Sequence, residues 1–147
     1  MDVSIKTLTA ADFASWEPLW QGYLTFYKAS VPDQVTQLTF NRLTGGHAAM
    51  GGFLAFDGLK AVGMVNWIMH PSCWTENDYC YLQDLFVDPA MRGGGAGRKL
   101  IEAVYDVSRQ RLCSRVYWLT HETNADAIKL YDKVADRSGF IQYRHML

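Results

Sequence analysis

A glycine-rich turn between a hydrophobic strand and an amphipathic helix is the feature of this sequence that most constrains its fold. Residues 79 to 87 (YCYLQDLFV) are dense in aromatic and apolar side chains with little alternation, which predicts a central strand covered on both faces. Asp88-Pro89 ends that strand, and the turn RGGGAG at residues 92 to 97 follows. Apolar residues then recur at helical spacing, which predicts a helix from about Gly95 to Arg111.

The composition of this turn favours a bound phosphate. Glycines leave the backbone open to a ligand, and the N-terminus of the following helix presents free N–H groups and the positive end of its dipole. Arg92 precedes the turn, and Arg98 and Lys99 follow it, which adds charge suited to the outer oxygens of a diphosphate. A P-loop is excluded because Gly97 is followed by Arg98-Lys99-Leu100, and a dinucleotide-binding fingerprint fails because Arg98 takes the place of its third glycine.

The rest of the chain predicts alternating helices and strands in one domain, residues 1–147. A first strand around Val3 is followed by an aromatic-rich helix to about Lys28 and a short helix after Pro32. Asp57-Gly58 predicts a hairpin between GGFLAF and KAVGMVNWIM. After the glycine turn and its helix, we expect a strand at 115–120, a helix to about residue 137 and a last strand at 140–147.

Composition narrows the class of protein. A chain of 147 residues with 49% hydrophobic residues can bury a core without metals or disulfides. A formal charge of −1 and the lack of a lysine-rich run argue against nucleic acid as a partner. The sequence shows neither a signal peptide nor an apolar stretch of roughly 18 residues, so we expect no membrane association.

The cysteines predict a reducing compartment. They are three in number and form no Cys-x-x-Cys pair, which is typical of reduced thiols in a cytoplasmic protein. A metal site would have to use His70, Cys73, Cys80 and His121, whose spacing matches no compact zinc pattern. We therefore expect no metal.

Two motifs together carry a resemblance to a known family. Arg92-Gly-Gly-Gly-Ala-Gly97 matches the Arg/Gln-x-x-Gly-x-Gly/Ala signature of the GNAT superfamily of N-acetyltransferases. The stretch VYWLTHETNADAIKLYDKVADRSGF, with Asn124 and Tyr131, resembles the second block of that family. The segment from Tyr81 to Val87 is similar to that of the polyamine acetyltransferases and of the yeast-type branch that acetylates histones, polyamines or D-amino acids.

This resemblance implies an α/β (α+β) fold, with about four helices flanking a mixed, mostly antiparallel sheet of six to seven strands. It also implies acetyl-CoA as co-substrate, with its pyrophosphate on the glycine turn and the N–H near Val87 polarising the thioester carbonyl. The residues expected to contact the coenzyme are Leu85, Phe86, Val87, Arg92, Gly93, Gly94, Gly95, Ala96, Gly97, Arg98 and Asn124.

The resemblance also implies catalytic roles. The hydroxyl of Tyr131 is expected to act as general acid near the thioester sulfur, and Asn124 lies two helical turns before it on the same face. Gln83 stands where these relatives usually have a Glu that helps to deprotonate the amine, and an amide cannot act as a base. Asp84 and Glu122 are the carboxylates nearest the expected cleft, and His121 is a third candidate for proton transfer.

The acceptor is expected to be a primary amine of a small molecule or of a protein lysine. Its site is expected to include Trp20, Tyr27 and Gln83, since aromatic faces bind cations. The alternative is that most of these aromatic residues belong to the core, because aromatic residues at spacings of three and four positions usually pack inward. The family resemblance also implies a homodimer. A second hypothesis, suggested by Gln83, is a catalytically weak acyl-CoA-binding or sensor module.

Overall fold

The computed structural model describes residues 2–147, which fold around one five-stranded sheet with its strands in sequence order. The strands are β1 (Val3–Thr7), β2 (Met50–Asp57), β3 (Lys60–His70), β4 (Tyr79–Val87) and β5 (Arg115–Tyr117). Neighbouring strands pair antiparallel, except that β5 runs parallel to β4. The mixed, mostly antiparallel sheet of the expected α/β fold is therefore confirmed.

Helices cover both faces of this sheet. They are α1 (Phe13–Phe26), α2 (Asp33–Asn41), α3 (Ala96–Gln110) and α4 (Ala125–Val134). On one face, Trp16 and Leu24 of α1 pack with Phe86 of β4. On the other face, Leu100 of α3 packs with Leu82 of β4. The strand β4 is thus covered on both faces, as its apolar sequence predicts. No helix within residues 2–147 combines the length and apolarity that crossing a bilayer requires.

The predicted hairpin between β2 and β3 is confirmed. Asp57 pairs with Lys60, and Gly58 adopts φ +60° in the two-residue turn between them. This positive φ is accessible to glycine at little cost, which explains why the Asp-Gly pair marks the turn in the sequence.

The predicted last strand at 140–147 is wrong. These residues pair with no strand, and Phe140, Ile141 and Tyr143 are 80%, 77% and 90% exposed. Apolar residues identify a segment that gains by burial, but a strand also needs a neighbouring edge to accept its backbone hydrogen bonds. The edge strand β5 is only three residues long and offers little such edge, so the sheet has five strands instead of six to seven.

Candidate active site

Two glycines determine the shape of the turn between β4 and α3. Gly93 and Gly95 adopt φ +85° and +86°, a region that side chains with a Cβ rarely occupy. A Cβ added at either position would meet no heavy atom within 4 Å. Glycine is therefore required here by the backbone conformation, and the space beside the turn is open to a ligand.

The backbone amides of this turn are available as donors. The first hydrogen bond at this end of α3 runs from the Lys99 amide to the Gly95 carbonyl oxygen, at 3.1 Å. The amides of Ala96, Gly97 and Arg98 precede this bond and, as the first amides of the helix, have no carbonyl partner within it. Free amides and the positive end of the α3 dipole form a seat for an anion.

The cations around the turn have different partners. The Arg92 guanidinium lies over the ring of Phe26, 5.5 Å from its centroid, and forms no ion pair within the described chain. Arg98 instead pairs with Glu102 on the surface of α3 at 2.9 Å. Lys99 donates to the Val3 carbonyl oxygen at 2.7 Å and so ties α3 to β1. Arg92 is therefore the cation best placed for a bound phosphate. Lys99, which was expected to add charge at the phosphate, instead stabilises the packing of α3 on β1.

Gly97 also has a packing role. A Cβ at this position would lie 3.3 Å from Cδ2 of Leu130 on α4, tighter than an ordinary van der Waals contact. The missing side chain lets α4 approach α3 closely. The hydroxyl of Tyr105 on α3 then donates to the Val134 carbonyl oxygen at 2.8 Å, which joins the far end of α4 to α3.

The strands β4 and β5 separate beside this turn. They pair only from Tyr79 with Arg115 to Tyr81 with Tyr117, so the remainder of β4 has no partner on that edge. The predicted strand at 115–120 ends early, at Tyr117, for this reason. The main chain of Leu85, Phe86 and Val87 therefore lies on the unpaired part of this edge, which ends at the glycine turn.

A β-bulge at Gln83 sets which side chains face α1. Asn66 of β3 pairs with Asp84, but the next residue, Trp67, pairs with Leu82, so Gln83 is an extra residue in β4. Before the bulge, Leu82 faces α3, and after it Leu85 does so instead. The bulge thus turns Asp84 to the α1 side and leaves Gln83 exposed.

Asp84 lies in a partly buried, tyrosine-lined environment. Its Oδ2 accepts a hydrogen bond from Asn66 Nδ2 at 3.0 Å, and the hydroxyl of Tyr23 lies within reach of the carboxylate. Burial raises the pKa of the Asp84 carboxyl above its ordinary value, while hydrogen bonding from Asn66 and Tyr23 acts in the opposite direction. A carboxylate with a raised pKa in a cleft is well suited to accept a proton near neutral pH.

Tyr27 connects this carboxylate with Tyr131. Burial and the charge of Asp84 raise the pKa of Tyr27, and burial together with Tyr27 raises the pKa of Tyr131 to about 12. The Tyr131 ring packs edge-on against Trp118, with 5.4 Å between ring centroids. Tyr27 is thus near enough to both Asp84 and Tyr131 to take part in the electrostatics of each, although the three residues lie far apart in the sequence.

The remaining predicted site residues lie at different distances from this centre. Asn124 immediately precedes α4 and donates to Thr120 Oγ1 at 3.2 Å. His121 is 5.8 Å from Tyr27 between ring centroids, whereas Glu122 is exposed and makes no described contact with Asp84 or Tyr131. Trp20 is 7% exposed and its indole N–H already donates to Thr36. A role of Glu122 in catalysis, or of Trp20 in acceptor binding, stays a prediction.

Sequence reasoning missed Asn66. This residue is 2% exposed and bonds to both Asp84 and Trp16. A signal was present, because Asn66 is the lone uncharged polar side chain in the apolar run KAVGMVNWIM. Its partners could not be read from the sequence, since Trp16 is 50 residues away.

The candidate metal ligands do not form a cluster. His70 Nε2 is hydrogen-bonded to the hydroxyl of Tyr117 at 2.7 Å, Cys80 is buried and Cys73 is exposed. Across residues 2–147, no group of three or more His, Cys, Asp or Glu side chains is arranged to hold a metal ion.

Solved structures with a similar fold include acetyltransferases. Aminoglycoside acetyltransferase AAC(6')-Iy, in complex with a bisubstrate analogue of CoA, superimposes with a TM-score of 0.87 at 15% identity, covering 100% of this chain and 99% of that one. The ribosomal-protein-alanine N-acetyltransferase of Brucella melitensis biovar Abortus gives a TM-score of 0.80 at 22% identity, covering 99% and 100%. At these identities the likeness establishes the fold alone.

Sequence comparison establishes the family. The D-amino-acid N-acetyltransferase HPA3 of Saccharomyces cerevisiae is 33% identical over 144 residues, 97% of this chain and 89% of that protein. The thialysine N-epsilon-acetyltransferase of Caenorhabditis elegans is 33% identical over 86 residues, 58% of this chain and 53% of that protein. The model of the acetyltransferase (GNAT) family matches residues 16–135. The chain therefore belongs to the acetyltransferase (GNAT) family and is an N-acetyltransferase.

Proposed function

We propose that this protein transfers the acetyl group of acetyl-CoA to a primary amine of a small, amino-acid-like or polyamine molecule, or of a protein lysine, by direct attack. The observation that carries this proposal is the glycine turn, whose backbone is open to a ligand and which adjoins the unpaired edge of β4. The named activities of the relatives, on D-amino acids and thialysine, support an amine acceptor.

The glycine turn fits the coenzyme. Its open space and free amides suit the pyrophosphate of CoA, with Arg92 as a further cation. The main chain of Leu85 to Val87 and the side chain of Asn124 border the path of the pantetheine arm. Acetyl-CoA supplies an acetyl group activated as a thioester, and a free N–H near Val87 polarises its carbonyl.

Asp84 and Tyr131 carry out the two proton transfers of the reaction. A lysine-like ammonium, with a pKa near 10.4, is more than three units from neutral at pH 7, which costs about 4 to 5 kcal/mol. Asp84 accepts this proton, directly or through water, and replaces the base that Gln83 cannot provide. Tyr131 remains protonated below a pKa of about 12 and donates its proton to the leaving sulfur.

The acceptor site favours a cation. Tyr23, Tyr27 and Tyr81 surround the Asp84 carboxylate. Aromatic faces and one carboxylate attract a protonated amine. We therefore infer that the acceptor amine binds in its protonated form.

Turnover of an amine panel tests the function. We expect calorimetry to show binding of acetyl-CoA, and CoA release with at least one class among polyamines, amino acids of both hands, aminoglycosides and lysine peptides. Tight binding without release on any amine would contradict the enzyme assignment and favour the sensor module.

Tyr131→Phe tests the general acid. We expect kcat to fall about 10- to 100-fold, at or below the lower end of the usual range for acid catalysis, because a thiolate leaves more easily than an alkoxide. The acetyl-CoA dissociation constant should stay close to that of the parent protein, since the ring is retained. Unchanged kcat would show that another group, or water, protonates the sulfur.

The expected homodimer and cytoplasmic location stay proposals. Exposed apolar side chains at Phe140, Ile141 and Tyr143 support the first, because association would bury them. Three free cysteines are consistent with the second. Light scattering of the purified chain measures the oligomeric state.

A further inference from the structure

Asn66 is a buried polar residue next to Asp84, the proposed proton acceptor for the amine. It is 2% exposed on β3 and pairs with Asp84 directly beside the Gln83 bulge. An amide buried this completely is retained at low cost only when its donors and acceptors are bonded. The partners of Asn66 therefore indicate what the residue does.

Trp16 sets the orientation of the Asn66 amide. The indole Nε1 donates to Asn66 Oδ1 at 3.2 Å, and an indole N–H can only donate. Trp16 is fully buried between α1 and the sheet, so this donor does not move away. With its oxygen held by Trp16, Asn66 must present its NH₂ group to Asp84, to whose Oδ2 it donates at 3.0 Å.

The other neighbours of Asp84 are aromatic side chains, of which Tyr23 can also donate a hydrogen bond to the carboxylate. Tyr23 faces it from α1, Tyr27 from the residue that follows α1, and Tyr81 from its own strand, and His121 lies beyond Tyr27. Among the ion pairs of the described chain, none involves Asp84. The amide of Asn66 is thus the buried donor from β3 that counteracts the desolvation of the carboxylate.

We propose that Asn66, oriented by Trp16, is a positioning residue for acetyl transfer that holds the Asp84 carboxylate ionised and turned toward the acceptor amine. The proposal rests on the proposed role of Asp84 as proton acceptor. It assigns a function to the Trp16–Asn66–Asp84 chain of hydrogen bonds, which links the α1 core to the reacting centre.

The experiment compares Asn66→Leu with Trp16→Phe and with the double variant. Asn66→Leu removes the donor to Asp84, so the pKa of Asp84 should rise and the acid limb of the kcat/KM profile should move up by about one to two pH units. Trp16→Phe removes the indole N–H that orients the Asn66 amide but leaves the NH₂ donor in place, so its acid limb should move in the same direction by a smaller amount. The double variant avoids the orphaned indole donor of Asn66→Leu and should show the same upward shift.

Two readouts separate this role from a purely structural one. The pKa of the Asp84 carboxyl is measured by carbon-13 NMR in each variant, and kcat/KM against pH is measured with a turned-over amine. Raised values in both Asn66 variants, with an unchanged KM for acetyl-CoA, support the proposal. An unshifted Asp84 pKa overturns it, as does a uniform loss of activity with an unshifted profile. If the NMR shift occurs but Asp84→Asn retains full activity, the role proposed for Asp84 fails, and the positioning role with it.

Discussion

Replacing Asp84 with asparagine is expected to lower kcat/KM for the amine by about 100- to 10,000-fold at neutral pH, the usual contribution of general base catalysis. The amide keeps the size of the side chain and its position on the α1 side of β4, so the loss would reflect proton transfer. The pH dependence has a definite sign. Because the base must be deprotonated, activity in the parent protein falls as pH drops through the raised pKa of Asp84. The variant should lose that component of the acid limb.

Asp106→Asn is a matched control for this substitution. Asp106 is an exposed aspartate on α3 that pairs with Arg109 at 3.1 Å, and it makes no described contact with Asp84 or Tyr131. Its loss should leave kcat/KM close to that of the parent protein, since exposed ion pairs contribute little. If Asp84→Asn behaves like this control at every pH, Asp84 is not the proton acceptor.

Gly95→Val is expected to raise the dissociation constant for acetyl-CoA by about 100-fold or more. Gly95 holds φ +86° at the start of α3, where a β-branched residue costs about 1 to 3 kcal/mol. The chain would relieve that strain by rotating the turn, and the amides would no longer converge on the phosphates. Loss of two hydrogen bonds to a charged group costs a further 3 kcal/mol or so.

Gly139→Val controls for the strain itself. Gly139 has φ +89° and open space around its Cα, as Gly95 does, but it lies beyond α4 and outside the glycine turn. Gly139→Val should bind acetyl-CoA like the parent protein in calorimetry, and the large loss of affinity should occur for Gly95→Val alone. Equal affinities in the two variants would mean that the turn does not hold the coenzyme.

The parts of the fold that were predicted correctly depend on local patterns. The glycine turn, the helix α3 and the hairpin at Gly58 each follow from residue types that act within a few positions of one another. The apolar segment at 140–147 shows the limit of this reasoning. Its side chains have strand-like character, but pairing depends on an edge elsewhere in the molecule, and β5 provides only three residues.

The candidate site was predicted only in part, because some of its contacts join segments that are distant in the sequence. Asp84 and Tyr131 are candidates from their motifs and their catalytic roles stay predictions, while the electrostatic effect of Tyr27 on Tyr131 emerges only in the structure. Asn66 was missed because its importance depends on Trp16 and Asp84, which reach it from other elements.

The sequence alone thus determines the position of the glycine turn and of the helix N-terminus that follows it, because backbone conformation and helix ends depend on neighbouring residues. It also decides the order of strands and helices, through the period of the apolar residues. Folding decides which way Asp84 faces, since the bulge at Gln83 exists only in the pairing of β3 with β4. The ionisation of that carboxylate is likewise a product of the assembled structure, because its burial and its hydrogen bond from Asn66 come from segments that meet only when the sheet and α1 pack together.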